Sequence, residues 1–190
     1  MKKILFYPGT FNPPHLGHAS AVLAALKNVA FDEIWILPSG KRVDREIPTS
    51  VEDRRNLNAL FVDYLQTQTQ VPVRLVADAL DGIGGKYTHE VIVDIKSRSE
   101  DEIYQLSGTD GFTSIKERVI DPNEKFVIIK RHGYELPEEL TPNTNLVVLE
   151  EIGVISSSKI REMIKNGDEG YKKLVPEKIA SYIEERGLYQ

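Results

Sequence analysis

The sequence predicts an α/β fold, in which a doubly wound, mostly parallel sheet is followed by a helical C-terminal segment. Short apolar segments alternate with amphipathic segments over residues 1–150. Strands that are separated by helices imply right-handed crossovers and therefore parallel neighbours. The chain has 190 residues, which suits one sizeable domain and is short for two. We therefore expect a single domain over 1–190, with the sheet in 1–150 and helices in 151–190.

The strands are predicted from apolar runs that are too short for helices and that are bounded by polar or turn-forming residues. Six runs have this character: Lys3–Tyr7, Glu33–Leu37, Val71–Val76, Glu102–Gly108, Lys125–Lys130 and Leu146–Glu150. They are separated by stretches long enough for crossover connections, as a parallel sheet requires.

The first two crossover helices are predicted from apolar residues that recur at helical spacing. The first helix is carried by Val22, Leu26 and Val29, and the second by Leu57, Leu60, Phe61, Tyr64 and Leu65. Ser50, followed three residues later by Asp53, approximates a capping box at the start of the second helix. A weaker apolar pattern over Thr88–Arg98 predicts a third crossover helix.

Two further helices are predicted in the C-terminal segment. Ser156–Gly167 begins with serines that can cap a helix, and a glycine ends it. Val175–Gly187 has Pro176 at a first-turn position, and Gly187 is expected to end the helix.

Composition narrows the class of protein. The chain contains no cysteine, which excludes disulfides and thiolate metal sites. Its net charge of -5 argues against a general nucleic-acid binder. The apolar run near residue 1 is shorter than the roughly 7–15 residues of a signal-peptide core, and no stretch reaches the roughly 20 apolar residues of a membrane helix. We expect a cytoplasmic protein that binds neither membranes nor nucleic acid.

A histidine-containing turn follows the first strand, with the sequence PGTFNPPHLGH. Ligands of open α/β sheets bind outside the carboxyl ends of the strands, which is where this turn lies. Gly9 is expected to permit a tight turn, and Gly17 to let the backbone approach a ligand at the start of the first helix. His15 and His18 add two donors there, and an imidazole beside phosphate can be held protonated. The pattern predicts a phosphate-binding turn.

Two other readings of the histidine pair stay open. His15 and His18 could form half of a zinc site, although there is no cysteine and no third ligand near in sequence. The two rings could also be purely structural and cap a turn.

A second phosphate site is predicted in the segment ISSSKIR. Ser157 and Ser158 supply hydroxyl and backbone donors at a helix start, and Arg161 lies one turn further on the same face. Two anion sites of this kind suit a triphosphate whose ends must both be held.

With these two motifs the chain resembles the nucleotidylyltransferase superfamily that carries the His-x-Gly-His signature. It is most similar to the bacterial nicotinate-nucleotide adenylyltransferases in GTFNPPHLGH and ISSSKIREMIKNG. Weaker matches are VEDRRNL, YTHEV, SGTDGF and KRHGYEL, which occur in the family's order. The resemblance implies a Rossmann-like fold and adenylyl transfer from ATP to a pyridine mononucleotide, with release of pyrophosphate.

The resemblance also implies residue roles. Catalysis is expected to depend on His15, His18 and Arg161. The residues expected to bind ATP are Gly9, Thr10, Phe11, Gly17, Gly108, Asp110, Ser157 and Ser158. The residues expected to bind the acceptor are Tyr87, Thr88, Arg131, Lys41 and Arg42. No metal ligand is expected from the protein, because Mg²⁺ would arrive on ATP.

The sequence departs from the family pattern on the side that would bind the acceptor. Val91 stands where threonine is usual, and the tryptophan that usually follows the Gly-x-Asp motif is missing. Ser158 also replaces a threonine but keeps the hydroxyl. Another phosphorylated acceptor, CTP as donor, and a nucleotide-binding module without turnover therefore remain alternatives.

Overall fold

A computed structural model describes residues 1–42, 46–83, 87–109, 111, 125–130, 146–149 and 155–190. Within these ranges six strands form one sheet. They are β1 (Lys3–Gly9), β2 (Glu33–Pro38), β3 (Val73–Leu75), β4 (Glu102–Gly108), β5 (Lys125–Ile129) and β6 (Leu146–Leu149). The helices are α1 (Leu16–Asn28), α2 (Val51–Gln68), α3 (Asp78–Asp81), α4 (Thr88–Ser97), α5 (Ser157–Lys165) and α6 (Glu177–Glu185), with a 3₁₀ turn at Glu169–Lys173 between the last two.

The strand order is β3-β2-β1-β4-β5-β6, and every neighbouring pair is parallel. The order reverses between β1 and β4, because the chain builds outward from β1 first on one side and then on the other. Such a reversal leaves a crevice outside the carboxyl ends of the strands, where ligands of this fold bind. The predicted doubly wound parallel sheet is confirmed.

Apolar side chains cover both faces of the sheet, as expected for parallel strands between helices. On one face, Leu5 and Ile36 pack in a cluster that also contains residues of α1, α2, α5 and α6. On the other face, Phe6 and Leu37 pack with Val91 of α4. The alternation of neighbouring residues between the two clusters is the period-two pattern of a strand. The C-terminal helices therefore share the apolar cluster of the sheet.

Three details differ from the sequence-based expectations. β3 is shorter than Val71–Val76, because Pro72 has no N–H for a sheet and the Val73 N–H at its start is bonded to a side chain of α2. Pro176 lies at the N-cap of α6 rather than in its first turn. The single turn of α3 was not predicted, since four residues carry no periodic signal.

The described residues contain no helix that is long and apolar enough to cross a membrane.

Candidate active site

The histidine turn connects β1, which ends at Gly9, to α1, which begins at Leu16. Its one left-handed residue is Phe11, with φ +45°. Gly9 is required because a Cβ on it would lie 2.7 Å from Cζ of Phe11. The turn folds the buried Phe11 ring back over the end of β1, and only a residue without a side chain leaves room for it.

His15 and His18 cap the start of α1 reciprocally. The His18 N–H donates to Nδ1 of His15 at 3.3 Å, and the His15 N–H donates to Nδ1 of His18 at 3.1 Å. The two rings stack with centroids 3.6 Å apart and an interplanar angle of 21°. This is a capping box built from two imidazoles, which satisfies two backbone donors of the helix start.

This geometry determines which nitrogen of each ring can carry the proton. Nδ1 of His15 and of His18 each accepts a backbone hydrogen bond, so neither Nδ1 bears a proton, and a neutral ring carries it on Nε2. In this geometry a ring that donates to a phosphate would do so through Nε2, and protonation of the two imidazoles stays a prediction. Neither Nδ1 is available to a zinc ion. The described residues also contain no group of three or more histidine, aspartate or glutamate side chains that could hold a metal.

Gly17 also has a packing role beyond the expected approach of the backbone to a ligand. A Cβ on Gly17 would lie 3.0 Å from Nδ1 of His15 and 3.2 Å from Cβ of Ile155. Glycine therefore lets the His15 ring and the segment before α5 pack closely against the first turn of α1.

The second predicted phosphate site lies directly against the first. The Ser157 hydroxyl donates to the carbonyl oxygen of Pro13 at 2.9 Å. Nη1 of Arg161 donates to the carbonyl oxygen of Asn12 at 2.7 Å, and its Nη2 donates to Oγ of Ser158 at 3.2 Å. Segments almost 150 residues apart thus form one continuous site. The expected common face of Arg161 and Ser158 is confirmed by their contact.

The helix starts at this site are free of acidic residues. The first turns of α1 and α5 contain none, whereas those of α2, α4 and α6 contain glutamate. First-turn carboxylates complement the positive end of a helix dipole. Since α1 and α5 lack them, their starts are suited to an external anion, even though the chain as a whole carries net negative charge.

Four of the residues expected to bind the acceptor lie near one another beside this turn. Nη1 of Arg42 donates to Oγ1 of Thr10 at 3.0 Å. Lys41 forms an isolated parallel bridge with Tyr87, the N-cap residue of α4. The Tyr87 N–H donates to the Glu90 carboxylate at 2.9 Å, so this N–H is already used.

Thr88 differs from its neighbours at the start of α4. Its Oγ1 is buried and has no hydrogen-bond partner among the described residues. A buried hydroxyl without a partner carries a cost in free energy that a bound ligand can remove.

The remaining predicted residues lie along β4 and beyond. Gly108 is the last residue of β4, the strand next to β1 across the point where the strand order reverses. Asp110 and Arg131 lie outside the described residues.

Sequence reasoning assigned no role to three residues that contact this site, Asn12, Tyr189 and Arg54, although each lies within a matched motif. Asn12 is buried and accepts from Arg161 through its carbonyl oxygen, and Tyr189 donates to its side chain at 2.6 Å. Arg54 is buried near the end of β2 and donates to the carbonyl oxygen of Ser39. Burial lowers the pKa of Arg54. None of these contacts has a periodic signal, because each joins distant segments.

Comparisons with known proteins identify the family of this chain. Residues 6–163 match the family model described as cytidylyltransferase-like. A probable nicotinate-nucleotide adenylyltransferase of Bacillus cytotoxicus is 31% identical over 199 residues, covering 100% of both chains. A second, of Geobacillus kaustophilus, is 32% identical over 196 residues, covering 100% of this chain and 87% of the relative.

A solved structure of Plasmodium falciparum nicotinic acid mononucleotide adenylyltransferase, complexed with NaAD, has the same fold. It superposes with a TM-score of 0.76 at 19% identity, covering 100% of this chain and 98% of that one. Since the family match spans most of the chain and the relatives are similar along all of it, the chain belongs to the cytidylyltransferase-like family.

Proposed function

We propose that this protein transfers the adenylyl group of ATP to nicotinate mononucleotide and releases pyrophosphate, a reaction of NAD biosynthesis. The observation that carries the proposal is the contact of the histidine turn with α5, through Ser157 on Pro13 and Arg161 on Asn12. That contact brings two acid-free helix starts together, which supports a single anion site there. Relatives of about 30% identity over the whole chain are named nicotinate-nucleotide adenylyltransferases.

Adenylyl transfer to a phosphate requires charge neutralisation and positioning of the substrates rather than a strong base. A phosphate oxygen of the acceptor attacks the α-phosphorus of ATP, a new P–O bond forms, and the bond to pyrophosphate breaks. The attacking oxygen is already anionic, so no proton has to be removed from it. His15 and His18 donate through Nε2 toward the phosphates, where preorganised donors stabilise the developing charge.

Arg161 is suited to the leaving pyrophosphate. A guanidinium has five N–H donors, and Arg161 uses one on Asn12 and one on Ser158. Three donors therefore remain for phosphate oxygens, held in a planar fork that matches them.

The acceptor is proposed to bind between the Lys41–Arg42 segment and the start of α4. Arg42 and Lys41 supply positive charge for its phosphate. The buried Thr88 hydroxyl can donate to a nicotinate carboxylate, together with backbone N–H groups of the first turn. An amide in place of the carboxylate would offer less charge and would point donors at donors, so we expect the acid to be preferred.

Magnesium is proposed to enter as the Mg²⁺ salt of ATP. The described residues hold no cluster of three metal-ligating side chains, and the donors gathered at the site are cationic or neutral, as suits phosphate oxygens rather than a cation. The ion would neutralise charge on the triphosphate.

The proposal is tested by measuring pyrophosphate release with Mg-ATP or Mg-CTP against a panel of mononucleotides. We expect turnover with ATP and nicotinate mononucleotide, with kcat/KM for the acid above that for the amide. Equal or higher kcat/KM for the amide would reject the acceptor, and preference for CTP would reject the donor. Binding of ATP without pyrophosphate release from any pair would favour a nucleotide-binding module.

A matched pair of variants on α5 tests the role of Arg161. Arg161→Ala removes the guanidinium on Asn12, whereas Lys159→Ala removes an exposed cation from the same helix. We expect kcat/KM to fall about 10²–10³-fold for the first variant, as when a donor to a developing charge is removed. The second variant should stay near wild type. Equal effects of the two would show that only the net charge of α5 matters.

A further inference from the structure

Three distant segments meet at Asn12. The Tyr189 hydroxyl donates to Oδ1 of Asn12 at 2.6 Å. The carbonyl oxygen of the same residue accepts from Nη1 of Arg161 at 2.7 Å. Asn12 is buried, with 3% of its surface exposed, so water does not compete strongly for these bonds. Tyr189 and Arg161 are therefore connected through a single residue of the histidine turn.

The backbone around Tyr189 indicates that this contact is held against a conformational cost. Tyr189 has φ +67°, a left-handed conformation that is unusual for an aromatic residue. Gly187, two residues earlier, has φ +59° without such a cost. A non-glycine residue stays in this region only where its surroundings hold it there, and such residues cluster at functional sites.

The Tyr189 hydroxyl remains a donor over the working range of pH. Burial raises the pKa of Tyr189 to about 12, although a hydrogen bond with Thr49 and the nearby Arg161 and Arg54 act in the opposite direction. The phenol therefore stays protonated and can donate to Asn12 while it lies close to two guanidinium groups.

We propose that Tyr189 is a positioning residue that acts through Asn12 to hold the Arg161 guanidinium against the histidine turn. This inference rests on the proposed function, because it assumes that Arg161 binds the triphosphate. A side chain as long as arginine has several rotamers, and fixing its Nη1 on the Asn12 carbonyl oxygen selects the one that lies beside the His15 helix start. Tyr189 orients Asn12 and so keeps that acceptor in place.

The test removes one hydroxyl and compares it with a matched control. Tyr189→Phe keeps the ring but loses the hydroxyl, and with it the bond to Asn12 and the hydrogen bond with Thr49. Tyr182→Phe removes a hydroxyl from α6 that bonds to Asp53 and Asn56, away from the histidine turn. We expect Tyr189→Phe to weaken Mg-ATP binding and to lower kcat/KM for ATP by about three- to tenfold, the effect of one hydrogen bond. Tyr182→Phe should change thermal stability without changing either quantity.

Coupling to Arg161 separates positioning from a general loss of structure. In the Arg161→Ala background, the Tyr189→Phe change should have no further effect on kcat/KM, because the group that it positions is gone. The same loss in both backgrounds would overturn the proposal, and so would wild-type ATP binding by Tyr189→Phe. Asn12→Ser removes Oδ1, the acceptor of the Tyr189 hydroxyl, and so breaks the same hydrogen bond at its other end. It should reproduce the loss, and it tests the inference independently if Tyr189→Phe folds poorly.

The Kd for Mg-ATP is measured without an acceptor, so it distinguishes failure of this inference from failure of the proposed function. A wild-type protein that releases no pyrophosphate with any acceptor would reject the function. A weaker Kd in Tyr189→Phe, absent in Tyr182→Phe, would still support the positioning role. An unchanged Kd in an active enzyme would reject the positioning role alone.

Discussion

Replacing His18 tests whether the histidine pair is catalytic or only structural. His18 has two separable functions in the structure: its Nδ1 accepts the His15 N–H, and its Nε2 is proposed to donate toward phosphate. His18→Ala removes both. His18→Asn retains a side-chain oxygen near the position of Nδ1, so it can keep the cap while it loses the Nε2 donor.

The two losses differ in magnitude. Loss of a cap costs about 1 kcal/mol of folding free energy, and loss of the stacked ring pair a further ~1 kcal/mol. A domain with the usual stability of about 5–15 kcal/mol stays folded after such a loss. Loss of a preorganised donor costs about 10²–10³-fold in kcat, or roughly 3–4 kcal/mol in the barrier. The fall in activity should therefore exceed anything that unfolding explains.

The assay pairs kcat, from pyrophosphate release at saturating substrates, with urea denaturation of the same samples. We expect both variants to lose activity to the same extent, and His18→Asn to keep more of the wild-type stability than His18→Ala. Near wild-type turnover in His18→Asn would refute the phosphate role. It would leave His18 as a structural cap.

Three further outcomes are expected. Gly17→Ala should destabilise the protein by about 1–3 kcal/mol and lower kcat, because its Cβ would press on the His15 ring; a urea midpoint equal to that of wild type would contradict this packing. Hydrogen bonds from Ser50, and then from Tyr182 and Arg186, lower the pKa of Asp53. The ionised Asp53 carboxylate therefore stabilises the folded protein above the unfolded pKa of about 3.9. This stabilisation is lost as the pH falls through the lower pKa of the folded state. Asp53→Asn should therefore lower the free energy of unfolding at pH 7 by about 2 kcal/mol and flatten its fall below about pH 4, as checked by denaturation across pH. Chelation should abolish turnover reversibly, with Mg²⁺ restoring it; stoichiometric zinc in the purified protein, measured by elemental analysis, would instead support the metal interpretation of the histidine pair.

Local sequence patterns predicted much of the fold because they report on local geometry. The short apolar run of β1 and the helical spacing in α2 are local properties of each element, so both could be located without a structure. The Ser50–Asp53 cap was also predictable, since both partners lie within one turn. By the same reasoning the histidine turn could be placed at the carboxyl edge of the first strand.

Within the turn, the sequence indicated the residues but not their individual roles. Gly9 was expected to permit a tight turn, and the structure shows how: the left-handed residue is Phe11, and Gly9 leaves room for its ring. His15 and His18 were expected to donate to phosphate or to cap a turn, and the structure shows the capping bonds that both rings accept through Nδ1. Ring packing and hydrogen-bond direction are three-dimensional quantities that residue type does not specify.

The sequence alone determined that this is a parallel α/β protein, and it predicted one anion site after the first strand and another in the C-terminal segment. Only the tertiary structure decided that the two motifs lie against each other, with Arg161 on Asn12 and Tyr189 on the same residue. The physical reason is the range of the interactions. Propensity and capping act over a few residues, whereas these contacts exist because burial of apolar surface packs α1, α5 and α6 on the same face of the sheet.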